Sequence, residues 1–173
     1  MKNLKFLILL FILSSCGSVI NYDYEKSTDF QSYKTYNYFG DMTTGLSELD
    51  TKRLIRAIDQ KLETIGLQRS EHPDFYIDIQ SQNLENTNRS NVGIGVGGGG
   101  GRVGGGISVG IPVNQNKRTR EISIEFVDDS KTGMFWQALA EYRYDVKATP
   151  EERAAQFTKL IEKVFATYPP EEK

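Results

Sequence analysis

Two apolar stripes at helical spacing, set among segments that alternate apolar with polar residues, constrain this 173-residue chain more than any other feature. Leu54, Ile55, Ile58, Leu62 and Ile65 fall on one face of a helix, and so do Phe157, Leu160, Ile161, Val164, Phe165 and Tyr168. The first stripe follows Ser47 with Asp50 three residues later, and Gly66 supplies a left-handed stop. The second follows Thr149-Pro150-Glu151-Glu152, which combines an N-cap, a first-turn proline and an N3 glutamate, and Pro169-Pro170 ends it. Helices over 47–65 and from 149 onward, each with a single stripe, must bury it against the same sheet face. The expected fold is therefore α+β: a two-layer sandwich, a mostly antiparallel sheet with two helices on one face.

The alternating segments supply the sheet. Ile20, Tyr22 and Tyr24 alternate within 19–25, and 33–39 alternates again with many aromatics, giving two strands joined around Phe30. Phe75, Ile77 and Ile79 make one apolar strand face after Pro73. Ile122, Ile124 and Phe126 lie in one arm of a hairpin that turns over 128–133 and returns over 134–146. In that last strand Trp136, Ala138 and Ala140 share a face, one large ring beside two small residues that leave room for a close helix. Trp136 and Phe157 are expected to meet there. The passage from the second strand through the first helix allows one parallel, right-handed crossover.

The N-terminus carries a different signal. Lys2 and Lys5 precede an apolar run over 6–13, which is shorter than the roughly 20 residues a membrane-spanning helix needs but suits a secretory signal. Leu13-Ser14-Ser15-Cys16 resembles the bacterial lipobox. That resemblance implies cleavage between Ser15 and Cys16, lipidation of Cys16, a signal peptide over 1–15 and a single domain over 16–173. Two or three acyl chains would hold such a protein to a membrane essentially permanently. Gly17, standing where Asp would mark inner-membrane retention, favours the outer membrane, and the lack of an acidic cluster after Cys16 favours its periplasmic face. Removal of Lys2 and Lys5 leaves 19 Lys and Arg against 23 Asp and Glu, about −4. Such a balance offers no footprint for nucleic acid. Cys16 is the only cysteine, so no disulfide supports the domain.

Between 91 and 114 the composition turns glycine-rich. Val92, Ile94 and Val96 alternate with glycine, as do Ile107, Val109, Ile111 and Val113 with Ser108, Gly110 and Pro112. These arms read as a hairpin insertion with a tip over 97–106, and Gly97, Gly100, Arg102 and Gly106 form its candidate contact surface. Gly93, Gly95 and Gly98 match a nucleotide-loop pattern, but glycine tracts match it by chance and no helix follows. His72, the only histidine, is the one possible base of a triad, but it precedes Pro73 in a turn and reads as an exposed, idle imidazole, and with no second histidine and no free cysteine zinc-like ligation cannot be completed. Asp128 with Asp129 reads as hairpin-turn chemistry in preference to a calcium or catalytic pair. Asp23, Glu25 and Asp29 among tyrosines offer a weak polysaccharide surface. No catalytic residue, metal or cofactor is expected.

Tyr22-Asp23-Tyr24, Phe30, Tyr33-Lys34-Thr35-Tyr36, Gly66-Leu67, Pro73-Asp74-Phe75, Glu125-Phe126-Val127-Asp128, Trp136 and Tyr168-Pro169-Pro170 in this order together resemble the lipoprotein family called domain of unknown function 4136. The resemblance covers the mature chain and implies an envelope lipoprotein with a two-layer α+β domain and no assigned activity. The leading functional expectation is a non-enzymatic, lipid-anchored module that binds or scaffolds an envelope protein or glycan. A carboxylate-dependent hydrolase of envelope glycan and a structural accessory of an outer-membrane assembly are the alternatives.

Overall fold

The computed structural model describes residues 18–84, 117–131 and 133–170. Strands β1 (Val19–Tyr24), β2 (Thr35–Tyr38), β3 (Gln68–Arg69), β4 (Phe75–Leu84), β5 (Lys117–Asp128) and β6 (Gly133–Asp145) form one sheet in the order β1-β6-β5-β4-β2-β3. Helix α1 (Glu48–Thr64) lies between β2 and β3, and α2 (Pro150–Val164) follows β6. The pairs β1·β6, β6·β5 and β5·β4 are antiparallel, whereas β2 runs parallel to both β3 and β4. The parallel connection through the first helix is thus present. The two N-terminal strands, adjacent in sequence, lie far apart: β1 forms one edge and β2 is the fifth strand. A 3-10 turn at Phe30–Ser32, capped by the Asp29 carboxylate on the Gln31 N–H, begins the passage between them. The glycine-rich hairpin at 91–114 and the signal segment at 1–15 fall outside the described residues.

Local chemistry fixes both helices. Ser47 accepts the Asp50 N–H, and Gly66 adopts φ 89° just past the end of α1. Thr149 and Glu152 form a reciprocal capping box, with the Thr149 N–H donating to Glu152 Oε2 at 2.8 Å and the Glu152 N–H to Thr149 Oγ1 at 3.3 Å. Leu54, Ala57, Ile58 and Leu62 of α1 and Phe157, Leu160, Ile161 and Val164 of α2 are buried with one face of the sheet. A buried carboxylate ties the helices together. Asp50, 6% exposed, accepts Arg53 Nη1 at 2.7 Å and Arg153 Nη1 at 3.0 Å. Arg153 also donates to the carbonyls of Val146 and Ala148, so the start of α1, the start of α2 and the β6–α2 connection share one clamp.

The aromatic core departs from strict alternation at one point. Phe126 pairs with Trp136 and Val127 with Met134, so Phe135 is an extra residue in a bulge. The bulge lets consecutive residues, Phe135 and Trp136, both turn inward, at 1% and 2% exposure. Phe135 stacks on Tyr33 at 4.4 Å between ring centroids, and Trp136 stacks on Phe165 at 5.4 Å. The expected Trp136–Phe157 contact is not formed. Trp136 instead meets the C-terminal end of α2 through Phe165 and Tyr168, while Phe157 packs on Tyr142 six residues further along β6. Antiparallel progression explains the exchange, because the start of α2 sits over the end of β6. Ala138 and Ala140, at 0% and 1% exposure, line the helix-covered face between these two contacts.

Candidate functional site

Among the described residues no helix covers the opposite face of the sheet, and the register sorts its side chains into rows across β1, β6, β5 and β4. One row reads Asp23, Gln137, Glu125 and Asp78; the next Asn21, Leu139, Ser123 and Gln80; the third Val19, Glu141, Glu121 and Gln82. These twelve positions hold five carboxylates and no basic residue. Glu125 stands directly opposite Asp78, and Glu121 directly opposite Glu141. Like charges so placed destabilise a sheet, and side-chain amides and one hydroxyl moderate the conflict. Gln137 Nε2 and Ser123 Oγ donate to Glu125 Oε1 at 2.8 and 3.0 Å, Gln80 Nε2 to Asp78 Oδ2 at 2.9 Å, and Gln82 Nε2 to Glu121 Oε1 at 2.7 Å. The result is a fixed array of amides and carboxylates on a rigid sheet.

At one margin the array becomes a cleft. Beyond the end of β2 the chain folds over it, leaving a shallow space of about 580 Å³ lined by Phe39, Asp41, Met42, Asp78, Gln80 and Glu125 among others. Phe39 stacks on Tyr76, with centroids 5.0 Å apart and planes 23° from parallel. An aromatic surface beside carboxylates and amides suits a ligand that presents both C–H faces and hydroxyl or ammonium donors. Among the described residues no group of three or more His, Cys, Asp or Glu side chains is placed to hold a metal ion.

The candidates named from sequence are dispersed. Asp128 is buried at 1% exposure, accepting the Tyr33 hydroxyl at 2.9 Å and the Ser130 N–H and hydroxyl at 2.9 and 2.6 Å, with Lys131 Nζ at 3.3 Å. Burial alone would push its carboxyl up, but the Ser130, Tyr33 and Lys131 donors outweigh that and hold it down at about 2. Burial, followed by the bond to Asp128, pushes the Tyr33 hydroxyl up to about 12. Asp128 therefore closes the β5–β6 turn onto the core, while Asp129 beside it is exposed. His72 is exposed in its turn. Asp23 and Glu25 line one small space of about 190 Å³ with Tyr24 and Gln137, and Asp29 is not part of it. Asp23 accepts the Tyr24 N–H, Glu25 the Ser27 N–H and hydroxyl, and Asp29 the Gln31 N–H. Of the three only Asp23 joins the open-face rows. Ser15, Cys16, Gly97, Gly100, Arg102 and Gly106 lie outside the described residues.

The rows themselves escaped sequence reasoning. Their signal was the polar half of each alternation, Asp78-x-Gln80-x-Gln82, Glu121-x-Ser123-x-Glu125 and Gln137-x-Leu139-x-Glu141. Only strand order and register bring those halves side by side.

Fold and site together define a two-layer α+β domain whose second sheet face presents rows of carboxylates and amides. The family model described as domain of unknown function (DUF4136) matches residues 20–170, and the chain belongs to that family. The fold is shared with the PelC dodecamer from Paraburkholderia phytofirmans, at a TM-score of 0.52, 10% identity and coverage of 87% of this chain and 96% of that one. It is similar also to a PDZ domain protein from Parabacteroides distasonis, at a TM-score of 0.50 and 14% identity, covering 99% of this chain but 41% of that one. A DUF4136 family protein from Bacteroides thetaiotaomicron aligns at a TM-score of 0.49 and 12% identity, over 88% of this chain and 96% of that one. No curated protein matches the sequence.

Proposed function

We propose that this chain is a lipid-anchored, non-enzymatic module on the periplasmic face of the outer membrane, and that it binds or scaffolds an envelope component through the open face of its sheet. The observation that carries the binding half is the presence of two directly opposed carboxylate pairs on a face that solubility alone would not require to be so charged. The Phe39–Tyr76 stack beside them favours a glycan, whose sugar rings combine apolar faces with hydroxyl donors. The anchoring half rests on Leu13-Ser14-Ser15-Cys16. It is tested by the mass of the N-terminal peptide from membranes, which is expected to start at Cys16 and carry acyl chains. The binding half is tested with a photocrosslinking residue at Gln80. A glycan or protein adduct that disappears in Asp78→Asn/Glu125→Gln supports it, and an adduct unchanged by that pair moves the contact elsewhere.

A second reading has its own support. Asp78 and Glu125, directly opposite in a cleft, are the pair that a carboxylate-dependent hydrolase of envelope glycan would use. Release of new reducing ends from purified envelope glycan by the protein, abolished by Glu125→Gln, would establish that activity in place of simple binding. A role as structural accessory of an assembly draws on the fold shared with a protein that forms a dodecamer, and sedimentation of the lipidated chain in detergent would reveal it.

A further inference from the structure

We infer that the end of the sheet built by the start of β5 and the end of β6 is a docking surface for an anionic phospholipid bilayer, set by the fold to face the membrane that holds Cys16. The inference rests on the anchored reading for its direction, but its surface is defined by described residues alone. Cys16 and Val19 are three residues apart, so the lipidated residue would lie within about 10 Å of the start of β1. Val19 pairs with Glu141, and β6 continues past that point through Tyr142 to Asp145. Because β1 and β6 are antiparallel, those residues extend past the N-terminal end of β1, by about 13 Å at strand rise. Lys117, Arg118, Thr119 and Arg120 pair with 145, 144, 143 and 142, and so occupy the same end.

The charge gathered there is opposite to that of the open face. Lys117, Arg118, Arg143 and Lys147 are exposed, and among the described residues none of them is in an ion pair. Arg120 lies with its guanidinium 4.7 Å over the Tyr144 ring, and its Nε donates to Asn83. The register puts Arg143 and Lys117 on the same face as Glu141 and Glu121, one and two rows further along; of the acids at this end, Asp145, directly opposite Lys117, accepts the Lys147 N–H, Glu121 accepts Gln82, and Glu152 closes the capping box. Basic groups held within a Debye length of about 8 Å from a lipid surface are attracted to its phosphates. With this end down, the sheet stands upright on the bilayer, its acidic face free for a partner.

The test uses residues 17–173, which contain every element of the fold and no lipid. Co-sedimentation with phosphatidylglycerol-containing vesicles is expected at low ionic strength, with weak binding to phosphatidylcholine alone and loss as salt rises. Lys117→Glu/Arg118→Glu/Arg143→Glu is expected to weaken partition by more than about tenfold while its circular dichroism stays unchanged. Lys26→Glu, beyond the far end of β1, is expected to bind as wild type. Equal binding to both vesicles, wild-type binding by the triple variant, or capture of dextran sulfate without vesicle binding would each overturn the inference. Because no acyl chain is present, these outcomes bear on the surface, and the N-terminal peptide mass bears separately on the anchor.

Discussion

The two faces of this sheet are written by the same strands, one residue out of step, and they have opposite demands. On the helix-covered face, Ile77, Ile79, Ile122, Ile124, Ala138 and Ala140 are excluded from water and chosen by volume. On the open face their neighbours Asp78, Gln80, Ser123, Glu125, Gln137 and Leu139 remain accessible to solvent and are placed by charge. A residue is therefore costly to change on the first face because of what it fills, and on the second because of what it confronts. The contrast teaches where to look for function: folding explains the first face completely, and leaves the opposed carboxylates of the second in need of another reason.

The largest effect should come from emptying the covered face. Trp136 touches Phe126, Phe165 and Tyr168 and is 2% exposed. Trp136→Ala should cost about 3 to 5 kcal/mol, a large part of the roughly 5 to 15 kcal/mol typical of whole domains. Urea denaturation should reveal it as a fall in midpoint with an unchanged slope. A wild-type midpoint would mean that the bulged Phe135–Trp136 pair is not the center of the core. Overfilling the same face is the complementary probe. Ala138→Leu places a branched side chain where the sheet leaves no space, and should cost about 1 to 3 kcal/mol, whereas Leu139→Ala on the open face should cost less than either.

The fold was largely legible because its determinants are local and periodic. The Ser47 cap, Gly66 and the first apolar stripe specify α1 within a residue of its observed bounds, and the Thr149–Glu152 box fixes the start of α2, whereas α2 ends at Val164, before Phe165 and Tyr168 of the expected stripe, which pack from the turn that follows. Three features were not legible. Strand order depends on which edges meet, so the separation of β1 from β2 left no mark in either segment. The bulge at Phe135 breaks period two by one residue, which alternation alone reads as an outward side chain. The open-face rows exist only across strands, and a carboxylate such as Glu125 looks like any solvated residue until Asp78 is set against it.

A smaller effect separates a buried carboxylate from the exposed ones. Asp128 is held at about 2 by Ser130, Tyr33 and Lys131 against its own burial, below the unfolded value of about 3.9. A depressed carboxyl stabilises the fold above its unfolded pKa and loses that contribution as pH falls through the folded one. Asp128→Asn should therefore cost about 1 to 2 kcal/mol at neutral pH. The difference between variant and wild type should narrow as pH falls from about 4 toward 2. A constant difference across that window would place the stabilisation in shape and not in charge.

The smallest effect has the opposite sign and is the sharpest test of the contrast. Glu141 stands directly across from Glu121 on the open face, and Glu121 keeps the Gln82 amide whatever occupies position 141. Glu141→Gln removes a like-charge confrontation, retains nearly the same volume, and allows a new amide donor to reach Glu121. It should raise stability by about 0.2 to 1 kcal/mol, visible as a small upward shift in melting temperature that shrinks as salt screens the wild-type repulsion. If the face exists for folding, such a substitution ought to be harmless in every respect. If it exists to meet a partner, the same protein should be more stable and bind less well, because the carboxylate that strained the sheet is the one offered to the ligand. Greater stability together with undiminished crosslinking at Gln80 would confine the binding surface to the Asp78–Glu125 end of the face; lower stability would mean that Glu141 is held by contacts other than the opposed pair.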